Sequence, residues 1–112
     1  IGGYRSTLIG GYNSTLIGGY HSTLTGGYGS KLTGGNDSTL IGGDGSILKG
    51  GYRSTLIGGD GSKLTGGYGS TLTIKYYDGN RIRLKTGYVG EDGIKADTKY
   101  RLNGRYDFEE VK

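Results

Sequence analysis

The sequence contains no Cys, Pro, Met or Trp, and only one Phe and one His. Without Cys there is neither a disulfide framework nor a thiolate metal site. Without Pro, and with no Gly at every third position, the chain is not collagen-like. Apolar residues make up only 31% of the chain, too few for the core of a three-layer enzyme. No run of 18 apolar residues occurs, so no membrane-spanning segment is expected in this chain. The net charge of +4 is spread along the sequence with no basic cluster pointing to nucleic acid. The 112 residues fit one compact unit. The chain begins at Ile1 without Met, so it is expected to be a piece or a processed form, with any signal peptide or anchor outside it.

What the chain has in abundance is glycine, 27 residues of 112, and it is periodic. Ile1 to Leu72 divides without insertion into octapeptides: IGGYRSTL, IGGYNSTL, IGGYHSTL, TGGYGSKL and so on to TGGYGSTL. Gly fills the second and third columns, Ser the sixth and Leu the eighth, without exception. A flexible Gly/Ser linker has no reason to keep Leu at every eighth position. Within each unit, Ser–Thr–Leu–Ile/Thr alternates like a short strand. Ser and Leu share the inner face, and the positions flanking Leu point out. The Gly-Gly pair, tolerant of positive φ and of close backbone approach, is expected to make the corner. The predicted fold is all-β: a flattened β-solenoid whose 16-residue coil is two octapeptides, over residues 1–72. The inward Ser needs a backbone carbonyl or a stacked Ser as its partner.

Two units per coil put odd and even units on opposite faces. The odd face then carries the outward pairs Thr7/Ile9, Thr23/Thr25, Thr39/Ile41, Thr55/Ile57 and Thr71/Thr73. The even face carries Thr15/Ile17, Lys31/Thr33, Ile47/Lys49 and Lys63/Thr65. All three lysines at these positions fall on one side, a segregation the octad itself does not demand. An uncharged lattice of hydroxyl and methyl groups at the interstrand spacing suits ordered water: methyls space the waters and hydroxyls anchor them. Strand propensity alone also favours Thr and Ile, which leaves open a structural or adhesive solenoid. Residues 73–112 break the octad. Asp78-Gly79 and Asn103-Gly104 read as hairpin turns, with strands at Thr71–Tyr77, Arg81–Lys85, Lys99–Leu102 and Arg105–Phe108. Ile82, Leu84, Val89, Ile94, Leu102 and Phe108 are expected to form an apolar plug, capping the open end of the solenoid.

The repeats GGYRSTLIGGYNSTL and TGGYGSTLT, followed by the tail YDGNRIRLKTGYVGEDGIKAD, resemble the bacterial ice nucleation proteins. That family repeats an Ala-Gly-Tyr-Gly-Ser-Thr-x-Thr octad in 16-residue coils and ends in a cap of similar sequence. Here Gly replaces the family's Ala, and Thr-x-Thr occurs only at Thr23/Thr25 and Thr71/Thr73. The resemblance implies a surface-exposed protein of the cell outer membrane that templates ice. It places Arg5, Arg53, Lys31, Lys49 and Lys63 in a C-terminal section that promotes assembly into multimers. The Tyr column at Tyr4, Tyr20, Tyr52 and Tyr68 either covers the solenoid edge or serves self-association. The expected partners are ice or ordered water and further copies of the chain, the alternative being an antifreeze-type ice binder.

No enzyme, cofactor or metal is expected. The period of eight and Ser in the sixth column do not fit the Gly-rich calcium-binding nonapeptide. A phosphate loop would need Gly-Lys-Ser/Thr and a following helix. His21 stands in the variable fifth column with Arg5, Asn13 and Asp37, as a solvated side chain would.

Overall fold

The structure, a computed structural model, describes residues 5–91 and 93–111. The octads form nine strands: β1 (Thr7–Ile9), β2 (Thr15–Ile17), β3 (Thr23–Thr25), β4 (Lys31–Thr33), β5 (Thr39–Ile41), β6 (Ile47–Lys49), β7 (Thr55–Gly58), β8 (Lys63–Gly66) and β9 (Thr71–Tyr77). Three more follow: β10 (Ile82–Tyr88), β11 (Thr98–Leu102) and β12 (Phe108–Glu110). They sort into two sheets, ordered β1-β3-β5-β7-β9-β10 and β12-β11-β8-β6-β4-β2. Within the solenoid every pairing is parallel and offset by 16 residues, as in Thr7↔Thr23 and Thr15↔Lys31. The chain is thus an all-β solenoid of about four turns, each of two octapeptides.

The core is one stacked Leu column per sheet. Leu24, Leu40, Leu56 and Leu72 line the odd side and Leu32, Leu48 and Leu64 the even side, all at 0–1% exposure. Burying a Leu contributes roughly 1.5–3 kcal/mol, so this thin core depends on its polar ladders as well. The buried Ser column supplies one. Ser54 Oγ donates to the Gly35 carbonyl of the preceding coil at 3.1 Å and accepts from the Ser38 amide at 3.4 Å. Ser70 repeats the pattern with Gly51 and Ser54. Both kinds of partner are therefore used: a backbone carbonyl and a neighbouring Ser, the latter through its amide.

The corners correct one expectation. None of the described Gly-Gly pairs has a positive φ. The left-handed residue is the fifth column instead: Asn13 (54°), Gly29 (68°), Asp37 (58°), Gly45 (69°) and Arg53 (53°) among them. Its amide donates to the fourth-column carbonyl of the next coil, as Asp37 does to Tyr52 at 2.7 Å. The Gly pair serves close approach alone. A Cβ on the first Gly would collide with the inward Ser and Leu of its own unit; at Gly42 it would lie 2.7 Å from Ser46 Cβ. A Cβ on the second would strike the coil below; at Gly43 it would lie 2.9 Å from the Gly27 carbonyl carbon.

The last coil leads directly into the cap. β9 starts in register with β7 and runs on to Tyr77. There β10 folds back antiparallel across it, with Thr86 opposite Thr73. On the other side β11 lies antiparallel on β8, and β12 on β11. Each sheet's C-terminal end is thus covered by antiparallel strands. The strand bounds shift from those expected: Ile82–Tyr88 instead of Arg81–Lys85, and Phe108–Glu110 instead of Arg105–Phe108. The plug also changes. Val89 and Ile94 are buried, and Leu102 and Phe108 pack against the core, joined by Tyr100. Ile82 and Leu84 are exposed, at 57% and 63%. Pairing with β9 sets this parity: Leu84 lies opposite Lys75 on the outside, while Gly87 turns inward, where a Cβ would meet the Phe108 ring at 2.8 Å.

Candidate functional site

The odd sheet presents two outward columns. Thr7, Thr23, Thr39, Thr55 and Thr71 stack in one, in consecutive register. Ile9, Thr25, Ile41, Ile57 and Thr73 stack in the other. The short strands force this regularity. Each three-residue strand has one inward Leu between two outward residues, and the invariant octad prevents any slip that would exchange them. The positions are exposed or half-buried, and none is charged. The face does not end where the octads end. Thr86 of β10 extends the second column, its hydroxyl 3.1 Å from that of Thr73. Tyr88 closes the first column beside Thr71. Farther along β9, Lys75 and Tyr77 share this outer side, beyond the two columns. Thr86 lies outside the repeat, and only the antiparallel register reveals it.

The even sheet holds the solenoid lysines. Thr15, Lys31, Ile47 and Lys63 stack in one column, and Ile17, Thr33, Lys49 and Thr65 in the other. Lys99 of β11 joins them, paired with Thr65. Among the described residues, none of Lys31, Lys49, Lys63 and Lys99 has an ion-pair partner. The two faces that the lysine pattern separated in the sequence are physically opposite sheets.

The fourth column forms the solenoid's two edges. Tyr52 and Tyr68 stack with centroids 5.8 Å apart on the edge leading into the odd strands. Tyr12 and Tyr28 stack at 5.4 Å on the other edge. Tyr20 is 38% exposed and packs edge-on against His21. Tyr4 lies outside the described residues. Asn36 interrupts the first stack, its Oδ1 accepting from the Tyr52 amide at 2.9 Å. Asp44 does the same for the Asp60 amide at 3.0 Å, the corner role that suits an isolated Asp. Arg53 is engaged within its own chain, 3.2 Å from Asp37 and over the Tyr52 ring at 5.2 Å. Arg5, at φ 55°, occupies the same fifth column two units before His21.

Among the described residues, no group of three or more His, Cys, Asp or Glu could hold a metal ion. Among the described residues, no helix is long and apolar enough to cross a membrane. No protein-family model, curated protein or solved structure matches the chain.

Proposed function

We propose that the odd face orders water into an ice-like layer, and that the chain is the capped, assembly-competent end of an ice nucleator. The reading rests on the in-register, uncharged Thr/Ile columns. A hydroxyl or methyl recurs every ~4.8 Å along the stack, on a backbone that parallel hydrogen bonding holds in register. Methyls keep water from binding the surface in many orientations, and the hydroxyls fix those that remain. Nucleation requires area. At ~4.8 Å per coil, four to five coils span only about 20 Å, so an embryo on one copy melts back easily. Assembly of copies side by side enlarges the template. The Tyr edges, with Tyr20, Tyr52 and Tyr68 partly exposed, and the neighbouring edge positions Arg5 and Arg53 serve that step. Such a protein works at the outer surface of the cell, where it meets freezing water.

Droplet freezing of size-separated material tests this. The chain should raise the freezing temperature of water slightly, its largest assemblies more, and versions lengthened by whole 16-residue units more again. Thermal hysteresis without a raised freezing point would instead identify an antifreeze-type binder. Neither effect would leave a structural or adhesive solenoid.

A further inference from the structure

The even sheet carries a linear array of cations. Its consecutive strands β4, β6, β8 and β11 contribute one lysine each: Lys31, Lys49, Lys63 and Lys99. The register places them in alternate columns. Lys31 and Lys63 align through Ile47, whereas Lys49 and Lys99 align through Thr65. The result is a zigzag of charges along the solenoid axis, advancing one strand spacing of ~4.8 Å per lysine. Lys31, Lys49 and Lys99 border a shallow groove with Thr33, Thr65 and Asp97, the acid at its cap end.

Among the described residues, most carboxylates are committed elsewhere. Asp37, Asp78, Asp107, Glu109 and Glu110 are engaged by Arg53, Arg83, Lys85, Arg101 and Lys95 in turn. Asp44 sits at a corner, where its carboxylate accepts from the Asp60 backbone amide. The described acids outside these pairs, Asp60, Glu91 and Asp97, are spread over a corner and the cap, so they form no acidic column on a second copy that would match the lysines.

From this arrangement we propose that the even face binds an anionic polysaccharide bearing one carboxylate per sugar ring, laid along the solenoid axis. A pyranose ring is about as long as one strand spacing, so successive carboxylates meet successive lysines. The Thr33 and Thr65 hydroxyls between the lysines suit sugar hydroxyls. No aromatic side chain stands in the outward columns of this sheet, so single-stranded nucleic acid lacks the stacking platform it uses. A lipid surface has no need of a single file. This inference is independent of water ordering on the opposite sheet, and either can fail alone.

The test is binding of the full chain to polygalacturonate across a salt series, with neutral dextran, phosphatidylglycerol vesicles and a single-stranded oligonucleotide alongside. Polygalacturonate should bind tightest and dextran not at all. Its log-log salt dependence should have a slope of about −3 for four neutralised charges. Each of Lys31→Gln, Lys49→Gln, Lys63→Gln and Lys99→Gln should weaken binding about fivefold. The decisive variant combines Thr15→Lys with Lys31→Thr. It keeps the net charge and opens a gap in the file, with folding checked by circular dichroism. It should lower the salt slope to about −2 for polygalacturonate and leave vesicle binding unchanged. Polygalacturonate binding that ignores the lysines or the gap, or binding no tighter than to vesicles or the oligonucleotide, would overturn the proposal.

Discussion

The solenoid and its cap handle polarity in opposite ways. Along β1 to β8 the polar groups that matter are buried and backbone-bound: the Ser hydroxyls bridge coils at 3.0–3.3 Å, and the outward lysines stand unpaired. In the cap the ionic groups pair on the surface, as Arg101 does with Glu109 at 3.0 Å and Lys95 with Glu110 at 3.1 Å. The cap's turns are held by side chains, Asp78 receiving the Asn80 and Arg81 amides and Asn103 those of Arg105 and Asp107. A repeating unit can satisfy itself only through its neighbours, so it uses what every copy has: backbone, Ser and Leu. A terminal unit has no further neighbour, and closes its edge with local turns and surface pairs.

If that contrast is right, the largest losses lie in the solenoid core. Leu56→Ala should cost about 2–5 kcal/mol, read by chemical denaturation, because a column one Leu wide has nothing to refill the cavity. Ser54→Ala comes next. It leaves the Ser38 amide without its hydroxyl partner, while the Gly35 carbonyl keeps the Gly51 amide, so the cost should be about 1–3 kcal/mol for the one orphaned group. The two glycine roles separate below that. Gly45→Ala meets open space but a φ of +69°, and should cost about 1–2 kcal/mol. Gly43→Ala meets backbone of the coil below and should cost more, which thermal melts of the pair will decide. Removing a cap ion pair should matter least. Arg101→Ala is expected to change stability by at most ~1 kcal/mol, since both partners are substantially exposed.

The cap also has a pH signature. Amide hydrogen bonds from Arg81 and Asn80, with the Arg83 guanidinium, hold the Asp78 carboxyl down at about 2. A depressed carboxylate pKa stabilises the fold at pH values above its ordinary 3.8. That contribution fades as pH falls through about 2. Carboxyl chemical shifts of Asp78 should therefore titrate near 2, and Arg83→Gln should raise the midpoint. A midpoint at the ordinary value would mean that the turn is not held this way.

Most of the solenoid was legible because its signal is repeated. Nine octads make the 16-residue coil visible through lysines that keep to alternate units, and Ser and Leu parity follows from period two. The fifth column was legible in principle: Gly, Asn, Asp and His are the residues most tolerant of left-handed backbone, and they recur there. The Gly-Gly pair drew attention away from it, because close approach and positive φ select the same residue. Thr86 and Lys99 join the two faces only through antiparallel pairings between the cap and the last coil. Ile82 and Leu84 look like core by composition. Their exposure depends on which face of β9 their strand lies against, and a single cap copy offers no periodicity from which to read that. The proposed water-ordering role rests on the odd columns and on the family resemblance together.

The most direct test of the two-faced account moves the same charge onto either sheet. Thr23, Thr25 and Thr73 are replaced by Lys in one chain, and Thr15, Thr33 and Thr65 in another, and droplet freezing is compared at matched assembly size. Loss of ice nucleation in the first with retention in the second is the predicted result. Equal loss, or loss only in the second, would contradict it.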